Sequence, residues 1–273
     1  MNMWKRLRPR STAKTTSPQN SQRMLRKFTL HTTPAVTYAV GDIHGHFDLY
    51  RKLEAQIIAD AAAFHGPALI ILLGDMIDRG PNSAQLLDHL ITPPPDGITR
   101  VCLRGNHEDM FLHALDTPSG AKDWITWGGA QTLASYGIHP DPETGYEFDS
   151  TRWRQTLAAA IPQSHRSFLR DMPLCVSLPD WFFSHAGINP ERAIDDQTKD
   201  DLIWGNPSAL AGRGFAKRIV HGHVPVDEVR FDKGAINVDT GAFVTGVLSA
   251  VRLVKDHDVR PMNVTLHTPD PIL

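Results

Sequence analysis

Aspartate, histidine and asparagine recur in five short polar stretches of this 273-residue chain, and each stretch follows an apolar run. The stretches are residues 41–45 (GDIHG), 74–80 (GDMIDRG), 105–108 (GNHE), 184–187 (SHAG) and 221–225 (HGHVP). Carboxylate, imidazole and amide groups are all ligands of divalent metal ions. Because the five stretches share this ligand chemistry, they predict one site assembled from distant segments.

Predicted strands position the first three stretches. The runs before them are short, rich in leucine and β-branched residues, and bounded by glycine, which is typical of buried strands. They cover residues 37–40, 68–73 and 100–104. Helices are predicted to follow, over residues 46–64, over 83–90 and from the GNHE stretch through Leu115. This βαβαβα order favours parallel strands and places each stretch at a strand's carboxyl end.

The second half of the chain is dominated by predicted strands. Their close spacing and the tight turns between them indicate antiparallel hairpins. The strands cover residues 174–178, 181–184, 218–220, 228–232, 235–238, 246–253 and 262–266. The fourth and fifth polar stretches therefore also lie at strand ends.

In their order along the chain, the stretches resemble the PPP family of metal-dependent phosphoprotein phosphatases, within the wider calcineurin-like metallophosphoesterases. The family pattern is GDxHG, GDxxDRG, GNHE, a later HGG or HAG, and a GH-containing strand end. Here the pattern extends over roughly residues 36–240. The resemblance implies an α/β fold, in which two mixed β-sheets pack as a sandwich flanked by helices in four layers (αββα).

An insert of tryptophan-rich helical segments is predicted over residues 117–172. Its segment 127–137 (WGGAQTLASYG) resembles one that builds a cap beside the site in bacterial members of the family. Aromatic packing within an all-helical insert is the alternative for the tryptophans taken singly. The domain prediction is thus one phosphoesterase domain over residues 31–273, with a small helical cap, after a basic tail over residues 1–30.

The resemblance also implies a ligand set for two divalent metal ions. Asp42, His44 and Asp75 would hold one ion, and Asp75, Asn106, His185 and His223 would hold the other, with Asp75 as the bridge. Oxygen and imidazole ligands suit manganese, which we expect, or iron or zinc. Each residue taken alone has a simpler interpretation: Asp42 or Asn106 could cap a helix, and a lone histidine is more often structural.

Two further roles follow from the same resemblance. His107 would donate a proton to the leaving oxygen, held by Asp78, because a carboxylate partner stabilises an imidazolium. Arg79 would bind the phosphate through its fork of N–H donors. Glu108 is expected only to occupy the first turn of its helix.

The chain departs from the family pattern at two places. Val224 replaces the threonine of the common GHTP pattern, which still selects His223 over His221. Bacterial relatives often have a phosphate-binding arginine after the Leu-Trp that precedes this strand, but Asn206 lies near that position here. Arg213, flanked by glycines, is predicted to compensate or else to be a solvent-exposed arginine.

Charge and composition limit the classes of partner. Residues 1–30 hold eight basic and no acidic residues, which leaves 28 − 8 = 20 basic against 30 acidic residues in the body. An acidic body argues against a nucleic-acid partner, and no apolar run reaches the roughly 20 residues that span a bilayer. The tail is predicted to be a disordered or docking arm, with a transit peptide as the alternative. Cys102 and Cys175 are expected to be buried thiols.

The expected function is hydrolysis of phosphomonoesters, with a phosphorylated protein or peptide as the substrate and the cytoplasm as the location. The resemblance implies a serine/threonine protein phosphatase in which a hydroxide held by two metal ions attacks phosphorus directly. A dinucleoside-polyphosphate hydrolase or another small-molecule phosphoesterase is the alternative. A non-catalytic phosphate-binding scaffold is disfavoured, because every presumed ligand and the acid–aspartate pair are present.

Overall fold

The computed structural model describes residues 26–141, 145–146, 150–254 and 259–266. Two mixed β-sheets form its centre, as predicted, with five strands in the order β11-β10-β2-β3-β4 and six in the order β1-β5-β6-β7-β9-β8. The strands are β1 (Lys27–Thr29), β2 (Val36–Val40), β3 (Ala68–Leu72), β4 (Ile98–Cys102), β5 (Cys175–Ser177), β6 (Trp181–Ser184), β7 (Arg218–His221), β8 (Arg230–Phe231), β9 (Ala235–Asn237), β10 (Val247–Val254) and β11 (Val259–Thr265).

Helices cover the sheets and build the insert. They are α1 (Phe47–Ala61), α2 (Ser83–Ile91), α3 (Asn106–Asp116), α4 (Pro118–Trp124), α5 (Ala130–Ser135), α6 (Ser150–Ala160), α7 (Gln163–Asp171), α8 (Lys199–Ile203) and α9 (Ala242–Thr245), with a π-helical turn at Ile125–Gly129 and a 3₁₀ turn at Pro207–Leu210. Helices α4–α7 lie within the predicted cap. None of the described helices combines the length and the hydropathy needed to cross a bilayer.

The apolar strand runs are continuous because both faces of the five-stranded sheet are buried. Ile70 and Leu72 of β3 pack with the helices on one side. Leu69 and Ile71 belong to the core between the sheets, together with Phe183 of the other sheet. A third apolar cluster lies where α8 and the 3₁₀ turn pack on strands of the six-stranded sheet. The four-layer prediction is therefore confirmed.

Register brings the first three polar stretches to one edge. Strands β2, β3 and β4 are parallel, with Val40 opposite Leu72 and Leu72 opposite Cys102. The chain therefore leaves all three strands at the same level, where the GDIHG, GDMIDRG and GNHE stretches begin. Parallel pairing in this half was predicted correctly.

The prediction of antiparallel hairpins in the second half was correct only in part. Strands β5–β6 and β10–β11 are antiparallel, but β6, β7 and β9 are parallel. The cause is the long connection over residues 185–217, which carries α8 and allows β7 to return in the same direction as β6. As a result, the fourth and fifth polar stretches also meet at one edge.

The end of the predicted basic tail belongs to the fold. Strand β1 pairs in parallel with β5, with Lys27 opposite Cys175. Phe28 packs against the core between the sheets. Residues 26–30, which the sequence had assigned to the tail, are therefore part of the described fold. Residues 1–25 lie outside the described residues. Both Cys102 and Cys175 are buried free thiols.

Candidate active site

Backbone strain marks the edge where the polar stretches meet. In the described chain, the non-glycine residues with positive φ are His44 (48°), Asp75 (49°), Asp78 (73°), Arg79 (67°) and His223 (74°). Residues other than glycine rarely adopt this backbone conformation, and strained residues of this kind cluster at functional sites. All five are predicted site residues, so the backbone independently identifies the same place.

Asp75 lies at the centre of a group of imidazoles. Its Oδ2 is 3.3 Å from Nε2 of His185 and 3.8 Å from Nε2 of His44. Nε2 of His185 is also 2.8 Å from Asn106 Oδ1 and 3.1 Å from His223 Nδ1. The structure thus brings together four of the predicted ligands, Asp75, Asn106, His185 and His223, around one point.

Asp42, which follows β2 of the five-stranded sheet, joins the site to the fifth polar stretch, which follows β7 of the six-stranded sheet. Its carboxylate is almost fully buried and accepts the backbone N–H of His223 at 3.2–3.3 Å. It does not begin α1, whose N-cap is His46, so the helix-cap interpretation is wrong. Asn106 is likewise the first residue of α3 and not its cap, which is Gly105.

Backbone carbonyls orient two of the imidazoles. Nδ1 of His44 donates to the carbonyl of Ile77 (2.9 Å), and Nδ1 of His185 donates to that of Leu73 (3.1 Å). Each ring therefore turns its Nε2, the nitrogen a metal ion would take, toward Asp75, and metal-ligating histidines are usually oriented in this way. Compact groups of possible ligand atoms are His44–Asp75–His107 and Asp75–His185–His223.

Buried charge at the site also fits a cation. Burial raises the pKa of Asp42, and the neighbouring carboxylate of Asp239 raises it further. Burial lowers the pKa of His185, but Asp75 and Asp42 more than offset this and raise it to about 9. Burial lowers the pKa of His223 to about 3. Carboxylates buried together without enough positive charge beside them suit bound divalent metal ions.

Two glycines make room for these carboxylates. A Cβ on Gly105 would lie 2.1 Å from Asp75 Oδ1, and one on Gly222 would lie 2.2 Å from Asp42 Oδ1. Neither distance is possible for a real side chain, so the glycines of GNHE and HGHVP are required by close packing rather than by flexibility.

His107 and Asp78 form a fully buried pair beside this group. Nδ1 of His107 donates to Asp78 Oδ2 at 2.7 Å. Nη2 of Arg79 is 3.1 Å from Nε2 of the same imidazole, and its guanidinium carbon lies 4.1 Å from the ring centre of Phe243. The three predicted residues His107, Asp78 and Arg79 are therefore in mutual contact, with Nε2 as the atom that faces the site.

Glu108 has a larger role than its predicted place in a helix turn. It lies in the first turn of α3, as predicted, but it is fully buried. Its oxygens accept the backbone N–H groups of Asp75 (3.0 Å), Met76 (2.8 Å) and Gly105 (2.8 Å). Glu108 thus holds the second stretch against the third. A glutamate at the third helical position is a capping signal that could have indicated this.

Other contributors were missed altogether. Asp239 is buried beside Asp42, and it follows an apolar strand as the predicted ligands do, so the same strand-end rule could have found it. Two cap residues contact Asp78, Trp124 and Thr132, and neither was predicted to do so, although Thr132 lies in the segment 127–137 that resembles a cap beside the site. Phe243 carries no local signal.

Two residues before the fifth stretch, and His221 at its start, form their hydrogen bonds and ion pairs away from the predicted metal ligands. Arg213 forms an ion pair with Glu191 (2.9 Å), and no hydrogen bond joins it to another predicted site residue within the described ranges. Asn206 accepts the N–H of Ser208 and caps the 3₁₀ turn. Buried His221 contacts the carbonyl of Gly222. The structure therefore does not bring Arg213 to the phosphate position.

Comparison with known proteins places this geometry in a family. The profile of the calcineurin-like phosphoesterases matches residues 36–260. Serine/threonine-protein phosphatase 2 of Escherichia coli is 39% identical over 79% of this chain and 92% of its own. Bis(5'-nucleosyl)-tetraphosphatase PrpE of Anoxybacillus flavithermus is 27% identical over 78% of this chain and 88% of its own.

Solved structures agree with the fold. The crystal structure of a protein proposed to be a diadenosine tetraphosphatase superposes with a TM-score of 0.57 at 19% identity, over 88% of this chain and 98% of the other. The family profile, which matches residues 36–260, includes all five polar stretches. The chain therefore belongs to the calcineurin-like phosphoesterase family and is a hydrolase of phosphoric esters.

Proposed function

We propose that this protein is a serine/threonine protein phosphatase, which hydrolyses phosphomonoesters on protein or peptide substrates. The observation that carries the proposal is the fully buried Asp78–His107 pair, with 2.7 Å between Asp78 Oδ2 and His107 Nδ1. The 39%-identical relative is named a serine/threonine-protein phosphatase, which supports the same substrate class.

The pair favours an alkyl phosphate because of what must leave. A serine or threonine alkoxide is a strongly basic leaving group and needs a proton in the transition state. When a phosphoanhydride is hydrolysed, a weakly basic phosphate leaves and needs little help. A histidine held by a buried carboxylate is therefore of most use for phosphoserine or phosphothreonine.

The other residues have complementary tasks in this proposal. Asp42, His44, Asp75, Asn106, His185 and His223 would hold two divalent metal ions, with manganese expected. Bound there, the ions would supply an activated water and neutralise charge on the phosphoryl group. Nη2 of Arg79 donates to Nε2 of His107 in this structure, so in this proposal Arg79 would turn from that nitrogen to bind phosphoryl oxygens. His107, then protonated at Nε2, would pass that proton to the leaving oxygen while Asp78 stabilises the imidazolium.

Dinucleoside polyphosphates are the second candidate substrate. Two partly buried indoles line the site, with Trp127 6.5 Å from the His107 ring, Trp204 6.3 Å from the His223 ring, and 6.3 Å between them. Aromatic faces can stack on nucleobases. The PrpE relative is named a bis(5'-nucleosyl)-tetraphosphatase, which favours this candidate as well.

A substrate panel with one variant tests the proposal. The manganese-loaded wild type should hydrolyse phosphoserine and phosphothreonine peptides faster than a dinucleoside tetraphosphate. In His107→Asn, turnover of the peptide should fall by about 10²–10⁴-fold, but turnover of 4-nitrophenyl phosphate should fall much less, because nitrophenolate leaves unaided. His113→Asn, on an exposed site of the same helix, is the matched control.

Two outcomes would contradict this assignment. A wild type that cleaves the dinucleotide but not the peptides has the second function. Equal losses on both esters in folded, metal-loaded His107→Asn would remove the proton-donor role.

A further inference from the structure

The Asp78 carboxylate receives more than the imidazole. Nε1 of Trp124 donates to Oδ2 at 2.7 Å, to the same oxygen that accepts from His107. The hydroxyl of Thr132 donates to Oδ1, also at 2.7 Å. A carboxylate with no exposed surface must be paired in this way, because burying it unpaired would be very costly. The two oxygens are thereby fixed in one orientation.

Both additional donors come from the cap. Trp124 is the last residue of α4, and Thr132 lies in α5, so they reach Asp78 from 46 and 54 residues along the chain. Between them the chain bends at Gly128 (φ 108°), whose carbonyl accepts the N–H of Arg79 at 3.0 Å. The insert therefore forms hydrogen bonds with both Asp78 and Arg79, the two neighbouring residues with positive φ.

Trp124 is itself firmly placed. Its side chain is fully buried, its ring centre lies 4.9 Å from that of Phe111, and a Cβ on Gly129 would lie only 2.4 Å from the indole. An indole that cannot turn presents its single N–H in one direction. This N–H therefore acts as a fixed constraint on Asp78.

We propose that Trp124 and Thr132 are positioning residues for proton transfer: they hold the Asp78 carboxylate so that it orients His107 toward the leaving oxygen. The inference rests on the proposed function of the Asp78–His107 pair. It makes the cap a working part of the site for substrates with a basic leaving group. Neither residue touches the substrate in this proposal; both act through Asp78.

Trp124→Phe tests the inference, because it removes the N–H and keeps an aromatic ring. In manganese-loaded protein, turnover of a phosphoserine peptide should fall about tenfold, a part of the 10²–10⁴-fold that general acids contribute. Turnover of 4-nitrophenyl phosphate should fall no more than about twofold. Equal losses on both substrates, or no loss on the peptide, would overturn it.

Trp153→Phe is the matched control. Trp153 is another buried cap tryptophan, but its Nε1 donates to the carbonyl of Ala114 at 2.9 Å and not to the site. Any loss in this variant should be the same on both substrates. A peptide-selective loss as large as that of Trp124→Phe would show a general effect of cap packing and overturn the inference.

A second variant covers the case in which Trp124→Phe does not fold. Thr132→Val keeps the side-chain volume and removes the hydroxyl that donates to Oδ1 and accepts the Asp78 N–H (2.9 Å), an N–H for which Ser83 Oγ remains an acceptor at 3.2 Å. It should show the same peptide-selective loss. In a double-mutant cycle, adding Thr132→Val or Trp124→Phe to His107→Asn should cause little further loss on the peptide. Additive losses would mean that the cap residues do not act through His107.

The inference can fail separately from the proposed function. If the wild type does not hydrolyse phosphopeptides, phenyl phosphate replaces the peptide, because phenolate leaves less readily than nitrophenolate. A selective loss on phenyl phosphate would then support the positioning role although the protein substrate was wrong. Losses independent of the leaving group would overturn the positioning role itself.

Discussion

Glu108 holds Asp75 through the backbone: its Oε2 accepts the N–H of Asp75 at 3.0 Å, across 33 residues of sequence. The same carboxylate accepts three more backbone N–H groups, from Met76, Ile77 and Gly105. The backbone of Asp75 has a positive φ of 49°, and a residue keeps this strained conformation only when surrounding contacts stabilise it. Glu108 links the helix that carries Asn106 to the loop that carries the central carboxylate.

Glu108→Gln should lower the free energy of unfolding by about 2–4 kcal/mol. The amide group would face backbone N–H donors, and each buried donor left without an acceptor costs about 1–3 kcal/mol. Urea denaturation measures the loss. Asp109→Asn is the control, since the partly exposed ion pairs of Asp109 with Lys199 (2.7 Å) and Arg104 (3.7 Å) are worth at most about 1 kcal/mol each. Similar losses in both variants would contradict the role of Glu108.

The first half of the fold was predictable because its signals are local. Buried strands such as β3 are apolar throughout, and the glycines and polar residues after them mark where they end. The pairing of β6 with β7 was not predictable in the same way. Strand direction there depends on the path of residues 185–217, and that path is set by packing rather than by a repeating pattern.

The residues of the candidate site also differ in how far the sequence could predict them. Its strand-end residues were found because they stand in ordered motifs, and the structure brings them together. Trp124 and Thr132 were not, because a hydrogen bond over 46 or 54 residues leaves no spacing to detect. Arg213 was predicted from its flanking glycines, and such loop freedom does not specify what the side chain will contact.

Asp75→Asn should remove bound metal and activity together. Its Oδ2 is the atom that faces His185 (3.3 Å), His44 (3.8 Å) and His107 (4.0 Å), so no neighbour can replace its charge. Turnover of 4-nitrophenyl phosphate should fall on the order of 10³-fold, as expected when several kcal/mol of metal-ion catalysis are lost. Elemental analysis should find much less metal in the purified variant than in wild type prepared in the same manganese buffer.

Asp171→Asn is the control for this prediction, because its exposed carboxylate pairs with Arg26 at the surface, away from the predicted ligands. It should keep wild-type metal content and turnover. Full metal content in a folded Asp75→Asn protein would show that Asp75 is not the bridge.

Manganese should stabilise the protein more at pH 7.5 than at pH 5. Burial raises the pKa of Asp239 to about 6, and burial followed by the charge of Asp239 raises that of Asp42. Without metal, the raised pKa of Asp239 contributes stability that is complete below about pH 4 and is lost as the pH rises through about 6, and the raised pKa of Asp42 changes the stability in the same direction. Bound cations favour the ionised carboxylates and restore that stability.

Thermal unfolding in chelator and in manganese, compared at each pH, measures this difference. The increase in Tm on adding manganese should be larger by several degrees at pH 7.5. Calcium, which prefers larger all-oxygen sites, is a control cation that should give a smaller increase. A manganese effect of equal size at both pH values would show that these carboxylates are already ionised without metal.

Phe243→Leu should weaken phosphate binding through Arg79. The guanidinium carbon of Arg79 lies 4.1 Å from the ring centre of Phe243, which itself lies 5.0 Å from the ring of His44. A partly buried cation–π contact of this kind is worth about 1 kcal/mol. The KM for 4-nitrophenyl phosphate and the inhibition constant of inorganic phosphate should therefore both rise about fivefold, with little change in kcat or metal content.

Val244→Ala separates this effect from a general disturbance of α9. Val244 is the next residue on the same short helix, and its side chain is 74% exposed, so its loss should leave both constants unchanged. In an Arg79→Ala background, Phe243→Leu should add no further weakening, because the ring acts by holding the guanidinium in place. A further loss in that background would mean that Phe243 contacts the ligand directly, and the holding role would then be wrong.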